Sequence, residues 1–182
     1  MTNPNNTQEN NAVKSACKQS HATLHFFLYG TAALSAGFIL AGLTVWLIMP
    51  GMMLTVHKSK YASVEETCAA LKNSIEDAGW NCPAIRDINA SMAKEGVEFS
   101  KPIRLVELCK ANYARDVLDT NPEVSTLMPC AFGVYKGTDG YVYISGMNMG
   151  LMGKMFGGRI AEIMGNKVAA DEHTILAPVI AQ

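Results

Sequence analysis

The sequence lacks any large excess of charge, with 15 basic residues against 16 acidic ones among 182. No cluster of Lys and Arg is dense enough to attract a nucleic-acid backbone, so nucleic-acid binding is not expected. It also lacks a nucleophile elbow, a phosphate-binding loop, an HExxH motif and a dinucleotide-binding fingerprint. These absences favour a non-catalytic protein, and no catalytic residue is predicted.

Cysteine is scarce and irregularly spaced. None of the five cysteines forms a CxxC pair, which excludes thioredoxin-like and zinc-ribbon spacing. Cys17 lies in a polar tail and Cys82 precedes Pro83, so neither has an evident partner. Cys68 falls on the apolar stripe of a predicted helix, where we expect a small buried side chain.

Charged residues are absent from residues 24–49, an apolar run of about 26 residues. A helix of this length rises about 39 Å, which is enough to cross a hydrocarbon core of about 30 Å. Tyr29 and Trp46 lie toward its two ends, where aromatic rings meet lipid headgroups, and Pro50-Gly51 ends it. The run is too long for a cleaved signal peptide. The sequence therefore predicts one uncleaved transmembrane signal anchor at 24–49.

The segments beside this span suggest its topology and partners. Residues 1–23 are rich in Asn, Thr and Gln and are predicted to be a disordered tail. The lysines that precede the span lie slightly closer to it than the lysines that follow it. This distribution favours a single-pass protein with its C-terminal domain on the periplasmic side. Besides the lipid bilayer, a second copy or another membrane protein could contact a face of small residues that recur every four positions (Ala33, Gly37 and Ala41).

Residues 52–182 are sufficient for one globular domain. Alternating or β-prone segments predict strands at 52–61, 80–88, 102–109, 130–135 and 141–145, and Pro83 indicates an irregular or edge position for the second. A capping box at Ser63-Val-Glu-Glu66 begins a helix that Gly79 ends, and helices are also predicted at 112–119 and 149–170. Residues 89–100 are interpreted as a polar excursion. The order βαββαββα predicts a two-layer α+β domain with a mostly antiparallel sheet.

Four motifs in this domain carry a family resemblance, and their order matters more than any one of them. They are Lys60-Tyr61-Ala62-Ser63-Val64-Glu65-Glu66-Thr67, Asn112-Tyr113-Ala114, Leu127-Met128-Pro129 and Asp139-Gly140. Over residues 52–150 the chain resembles the domain of unknown function 302 family. The resemblance implies a β-α-β(4)-α type domain that tends to dimerise, with no established reaction. The anchor, the Gly/Met-rich helix at 149–170, Cys109 and Cys130 depart from the simplest members.

Cys109 and Cys130 are the main candidate site residues. Cys109 ends the third predicted strand and Cys130 begins the next, so the two sulfurs would share one end of the sheet if these strands are neighbours. In an oxidising compartment a disulfide there would close a loop of about 20 residues and stabilise the domain by about 3 kcal/mol. A shared metal ion and two separate buried thiols are the alternatives.

Methionine is concentrated near the C-terminus, at Met147, Met149, Met152 and Met155, between several glycines. Thioethers are soft ligands, and with a cysteine or His57 they could hold Cu(I). They could instead fill gaps in the core or form an adaptable protein-binding face.

The sequence as a whole favours a membrane-anchored, non-catalytic binding or accessory module that self-associates and has an unknown ligand. The alternative is a thiol-redox or metal-handling protein, of copper or haem type, that uses Cys109 and Cys130. No cofactor is firmly implied.

Overall fold

The computed structural model describes residues 34–181, and the chain divides into two compact units, Met1–Met49 and Pro50–Gln182. Helix α1 (Leu34–Met52) is long and apolar enough to cross a membrane, with a mean hydropathy of 1.8 and no part of its apolar window buried. Membrane anchors and signal sequences both have such a helix near the N-terminus. The predicted tail at 1–23 and the start of the predicted span at 24–33 lie outside the described residues.

The second unit is built on a five-stranded sheet with the strand order β1-β5-β4-β3-β2. Every pairing is antiparallel. The strands are β1 (Leu54–Lys58), β2 (Ile85–Asp87), β3 (Ile103–Leu108), β4 (Cys130–Lys136) and β5 (Val142–Met147).

Helices fill the connections and the C-terminal segment. They are α2 (Val64–Asp77), α3 (Ile88–Lys94), α4 (Ala111–Leu118), a 3-10 helix (Pro122–Leu127), α5 (Met149–Phe156) and α6 (Gly158–Ile160). A π-helical segment (Ala161–Val168) and α7 (Ala169–Leu176) continue directly from α6. The predicted α+β class is confirmed, and the sheet is antiparallel throughout.

Helix α2 begins and ends where its local sequence predicts. The Ser63 hydroxyl oxygen accepts a hydrogen bond from the backbone N–H of Glu66 at 3.1 Å. At the other end Gly79 adopts a φ of 73°, which favours glycine, and the N–H of Trp80 donates to the carbonyl of Ile75 at 3.0 Å. The predicted apolar stripe is buried (Val64, Cys68, Leu71 and Ile75).

The hydrophobic core lies between these helices and one face of the sheet. Alternate strand residues point to this face because successive side chains in a strand point to opposite sides. Val106, Phe132, Val134 and Ile144 are each at most 2% exposed. The opposite face carries their sequence neighbours.

Two sequence expectations about the β2 region differ from the structure. Residues 88–94 form helix α3 within the segment predicted to be a polar excursion, and the Asp87 carboxylate caps it by accepting from the Ala90 N–H at 3.0 Å. Helix α3 buries no residue, so it has no apolar stripe that a periodicity analysis could detect. Strand β2 is also much shorter than 80–88, although its predicted edge position is confirmed.

The single helix predicted at 149–170 is wrong, because the chain breaks at Gly157 and Gly158. Both glycines have positive φ, 73° and 52°, which ends α5 and redirects the chain into α6. The two helical arms then contact each other closely, since a Cβ atom built on Gly153 would lie 2.3 Å from the backbone nitrogen of Gly165. Gly153 and Gly165 therefore allow two helices of the same chain to pack closely.

Candidate functional site

A small apolar cavity lies where β3 ends and β4 begins, with lining residues from α4 and the π-helical segment. Its volume is about 30 Å³. Two cysteines and two methionines are among its lining residues, and we call it the sulfur cavity (Cys109, Met128, Cys130 and Met164). Trp80 and Tyr113 also contribute to its wall.

The sheet register brings the two cysteines to this cavity. Leu108, the last residue of β3, is the direct partner of Cys130 in β4, and Cys109 follows Leu108. The predicted position of both cysteines at one end of the sheet is therefore found. The four cysteines within residues 34–181 are free thiols in the structure. Burial, together with the nearby charge of Glu172, raises the pKa of the Cys130 thiol to about 12, so this thiol is protonated at neutral pH.

Polar groups are gathered at the edge of the sulfur cavity around Asp171. The Lys110 ammonium lies 2.9 Å from Asp171 Oδ2, and the Trp80 indole N–H donates to the same oxygen at 3.0 Å. Although burial opposes ionisation, these two hydrogen bonds hold the pKa of Asp171 below its ordinary value. Lys110 Nζ also lies 4.7 Å from the centroid of the Tyr113 ring. The edge thus has a fixed positive charge with a paired carboxylate.

Glu172 differs from its neighbour Asp171. Burial is the cause that raises the pKa of its carboxyl from 4.5 to about 8. Because its charge also acts on the Cys130 thiol, the carboxyl and the thiol are close enough to influence each other's ionisation. A half-buried acid beside a half-buried thiol is an unusual pairing, and no local sequence pattern indicates it.

The second notable feature is the sheet face that points away from the core. We call it the open face (Leu54, Val56, Lys58, Arg86, Ile103, Leu105, Glu107, Ala131, Gly133, Tyr135, Tyr143, Ser145 and Met147), and the strand registers define it. Leu54 and Val56 are 59% and 52% exposed. Tyr135 and Tyr143 stack with ring centroids 6.0 Å apart.

A trough of about 390 Å³ runs along the open face beside this tyrosine pair. Small residues form its floor (Ala131, Gly133 and Ser145), and larger apolar residues form its sides (Leu54, Leu105 and Met147). A Cβ at residue 133 would lie 2.9 Å from Ser145 Oγ, so any larger residue there would require the serine hydroxyl to turn away. The open face therefore combines a depression with an adjacent aromatic ridge.

One buried acid also belongs to this side of the sheet. Glu107 is 6% exposed and accepts a hydrogen bond from the Arg86 guanidinium on the neighbouring edge strand. This pair explains how a carboxylate is tolerated between apolar neighbours.

The other predicted site residues lie outside the sulfur cavity. His57 is on β1 opposite Ile144. Met147 and Met149 line the trough on the open face, while Met152 and Met155 are on α5, with Met155 52% exposed. The thioethers near the cysteines belong instead to Met128 and Met164. Met128 could have been predicted as a site residue from its position two residues before Cys130. Met164 is far from both cysteines in sequence, and only the fold brings it to the sulfur cavity.

The fold that carries both features is a two-layer α+β domain with an open antiparallel sheet. The family model described as "Domain of unknown function DUF302" matches residues 55–179, and the chain belongs to this family. The match includes α5 to α7, which lie beyond the 52–150 range of the sequence resemblance.

A solved structure supports the same fold. The crystal structure of an uncharacterized conserved DUF302 protein from Bacillus stearothermophilus is similar, with a TM-score of 0.61 and 20% sequence identity. The alignment covers 69% of this chain and 97% of that one. No curated protein matches this chain.

Proposed function

We propose that this chain is a membrane-anchored, non-catalytic binding module that self-associates through the open face of its sheet. The observation that carries the proposal is the apolar character of that face. An antiparallel sheet with one face on the core commonly presents polar side chains on the other. Here the exposed side presents mainly aliphatic and aromatic residues, and contiguous exposed apolar surface is typical of an interaction site.

A second copy of the chain is the occupant that the shape of the face supports. A two-fold interface places the same patch on both subunits, so the patch must be complementary to itself. The tyrosine ridge (Tyr135 and Tyr143) lies beside the trough floored by Ala131, Gly133 and Ser145. Under a two-fold axis, each ridge would enter the trough of the other copy. The dimerisation that the family resemblance implies agrees with this arrangement.

Anchoring would strengthen such an association. Helix α1 would confine all copies to one bilayer, which raises their effective concentration relative to free diffusion. We place the domain on the periplasmic side, from the lysine distribution around the span. A labelling reagent that does not cross the inner membrane should then modify a cysteine introduced at exposed Val97 in intact spheroplasts.

The test of self-association compares two lysine substitutions at positions of equal exposure. Val56 is 52% exposed on the open face, and Val97 is 53% exposed in the loop after α3. Neither change disturbs the core, but Val56→Lys would bury an unpaired ammonium in the proposed interface. We expect Val56→Lys to weaken the dimer of the full-length chain at least about tenfold in detergent micelles, whereas Val97→Lys leaves it unchanged. Sedimentation at several protein-to-detergent ratios measures both.

A third variant separates the open face from the membrane helix. Gly37→Ile disrupts the face of small residues on α1, through which helices could also associate in lipid. The proposal requires that Val56→Lys dissociates the dimer and that Gly37→Ile does not. A wild-type monomer at all ratios, or a dimer lost only with Gly37→Ile, would contradict it.

A further inference from the structure

We infer that the sulfur cavity binds one soft monovalent metal ion, Cu(I), through Cys109 and Cys130 with support from Met128 and Met164. The juxtaposition of these four sulfur side chains around one small cavity is the basis of the inference. Thiolates and thioethers are the soft ligands that favour Cu(I) over harder cations. In the described part of the chain, no three His, Cys, Asp or Glu side chains form a candidate metal-binding group. No set of nitrogen and oxygen ligands suited to a harder cation is therefore found there.

The size and polarity of the cavity suit a bare ion. A volume of about 30 Å³ accommodates one or two water-sized groups, which is too small for an organic ligand. Its remaining wall is largely apolar, including Trp80 and Leu108. An apolar wall holds no water to complete a hydration shell, so an ion there must obtain all its ligands from the four sulfurs.

The number of thiol ligands also favours Cu(I) over Zn(II). Binding exchanges protons for metal: two S–H bonds break, two S–Cu bonds form, two protons leave, and copper remains Cu(I) throughout. The resulting bis-thiolate complex carries one negative charge, and Lys110, which is also paired with Asp171, is the charged residue that lines the cavity. Structural Zn(II) sites usually have four Cys or His ligands, and this cavity offers only two thiols and no imidazole.

The two methionines distinguish this site from a simple pair of buried thiols. Met164 is 4% exposed in the core, and Met128 packs against the core from the loop before Pro129. They come from separate parts of the chain, the π-helical segment and the connection before β4. Their convergence on the two cysteines gives the cavity more than two sulfur donors.

The test titrates Cu(I) into the full-length chain in detergent, under anaerobic reducing conditions, against the chromophoric chelator bicinchoninate. All proteins carry Cys17→Ser, which removes the thiol of the N-terminal tail. We expect one Cu(I) per chain. Cys109→Ser and Cys130→Ser should each weaken binding at least about 100-fold, because losing a ligand costs more than losing an outer-shell partner. Met128→Leu and Met164→Leu conserve volume and should each weaken it about tenfold.

Matched controls use sulfur residues outside the cavity. Cys82→Ser removes a half-buried thiol and Met155→Leu an exposed thioether, and both should bind like the parent protein. X-ray absorption should show a first shell of sulfur alone. Circular dichroism of the metal-free variants verifies folding. If a serine variant does not fold, the Met→Leu variants still test the inference. The inference is overturned if the parent binds no Cu(I), if the cavity variants bind like the parent, or if the controls lose the metal equally.

Discussion

Replacing Glu172 with glutamine should remove much of the pH dependence of this domain's stability. The Glu172 side chain is half-buried on α7, and the pKa of its carboxyl in the folded protein is about 8 instead of 4.5. Folding therefore favours the protonated form. The stability that this group contributes is fully present below pH 4.5 and is lost as the pH rises through about 8.

The magnitude follows from the size of the pKa change. At about 1.4 kcal/mol for each pKa unit, a rise from 4.5 to about 8 corresponds to about 5 kcal/mol. Solvent still reaches part of the side chain, and relaxation of the surroundings reduces the penalty of a buried charge. We therefore expect the unfolding free energy of the wild type to fall by about 2–4 kcal/mol between pH 5 and pH 9 because of this residue.

Urea unfolding of the full-length chain in a mild detergent measures this effect. Trp46→Phe leaves Trp80, which is 5% exposed, as the sole tryptophan and a fluorescent reporter of the second unit. In this background Glu172→Gln should resemble the parent at pH 5 and be about 2–4 kcal/mol more stable at pH 9. Glu98→Gln, at an exposed loop position, is the control and should leave the pH profile unchanged.

Parallel pH profiles for Glu172→Gln and the parent would refute this reasoning. Such a result would mean that the Glu172 carboxyl is as well solvated in the folded chain as in the unfolded one. Titrating groups that do not interact with Glu172 cancel in the difference, because they are present in both proteins. The Cys130 thiol does interact with Glu172, but its pKa of about 12 keeps it protonated in the folded chain between pH 5 and pH 9.

Three other outcomes are expected. Gly153→Ala should destabilise the domain by about 2 kcal/mol or more in urea unfolding, because its Cβ would lie 2.3 Å from a backbone nitrogen. The control Gly150→Ala, whose Cβ would have its nearest neighbour at 3.5 Å, should be neutral or slightly stabilising. Equal effects of the two substitutions would contradict the close helix contact. Arg86→Met should cost about 1–3 kcal/mol in the same assay by leaving Glu107 buried without its partner, and adding Glu107→Leu should recover part of the loss. The full-length chain should sediment with membranes and resist carbonate extraction, and its recovery in a detergent-free supernatant would disprove an α1 anchor.

Helix α2 was predictable because its signals are local and agree with one another. The Ser63 cap, the apolar stripe of α2 and the Gly79 end all lie within one short segment, and each is found in the structure. Helix α3 has a local cap at Asp87 but buries no residue, so hydrophobic periodicity gave no indication of it. At Gly157-Gly158 the apolar spacing continues through the break, which is why the sequence alone predicted one helix instead of two.

The candidate site was predictable only in part. The two strands beside Cys109 and Cys130 were predicted from their alternation, but the sequence left open whether they are neighbours. The structure pairs them. Met164 comes from a helix far along the chain, and its contact with the cavity depends on how that helix folds back. The predicted methionines at 147 to 155 lie elsewhere, because local clustering in sequence does not place side chains around one point.

The sequence by itself determined the long apolar helix, the order of most strands and helices, and the family, since all of these depend on residue type and short-range spacing. Only the tertiary structure decided that one sheet face stays open, that two glycine backbones bring helices into contact, and that four sulfur atoms share a cavity. These features depend on which distant residues meet, and packing of the whole core governs that choice.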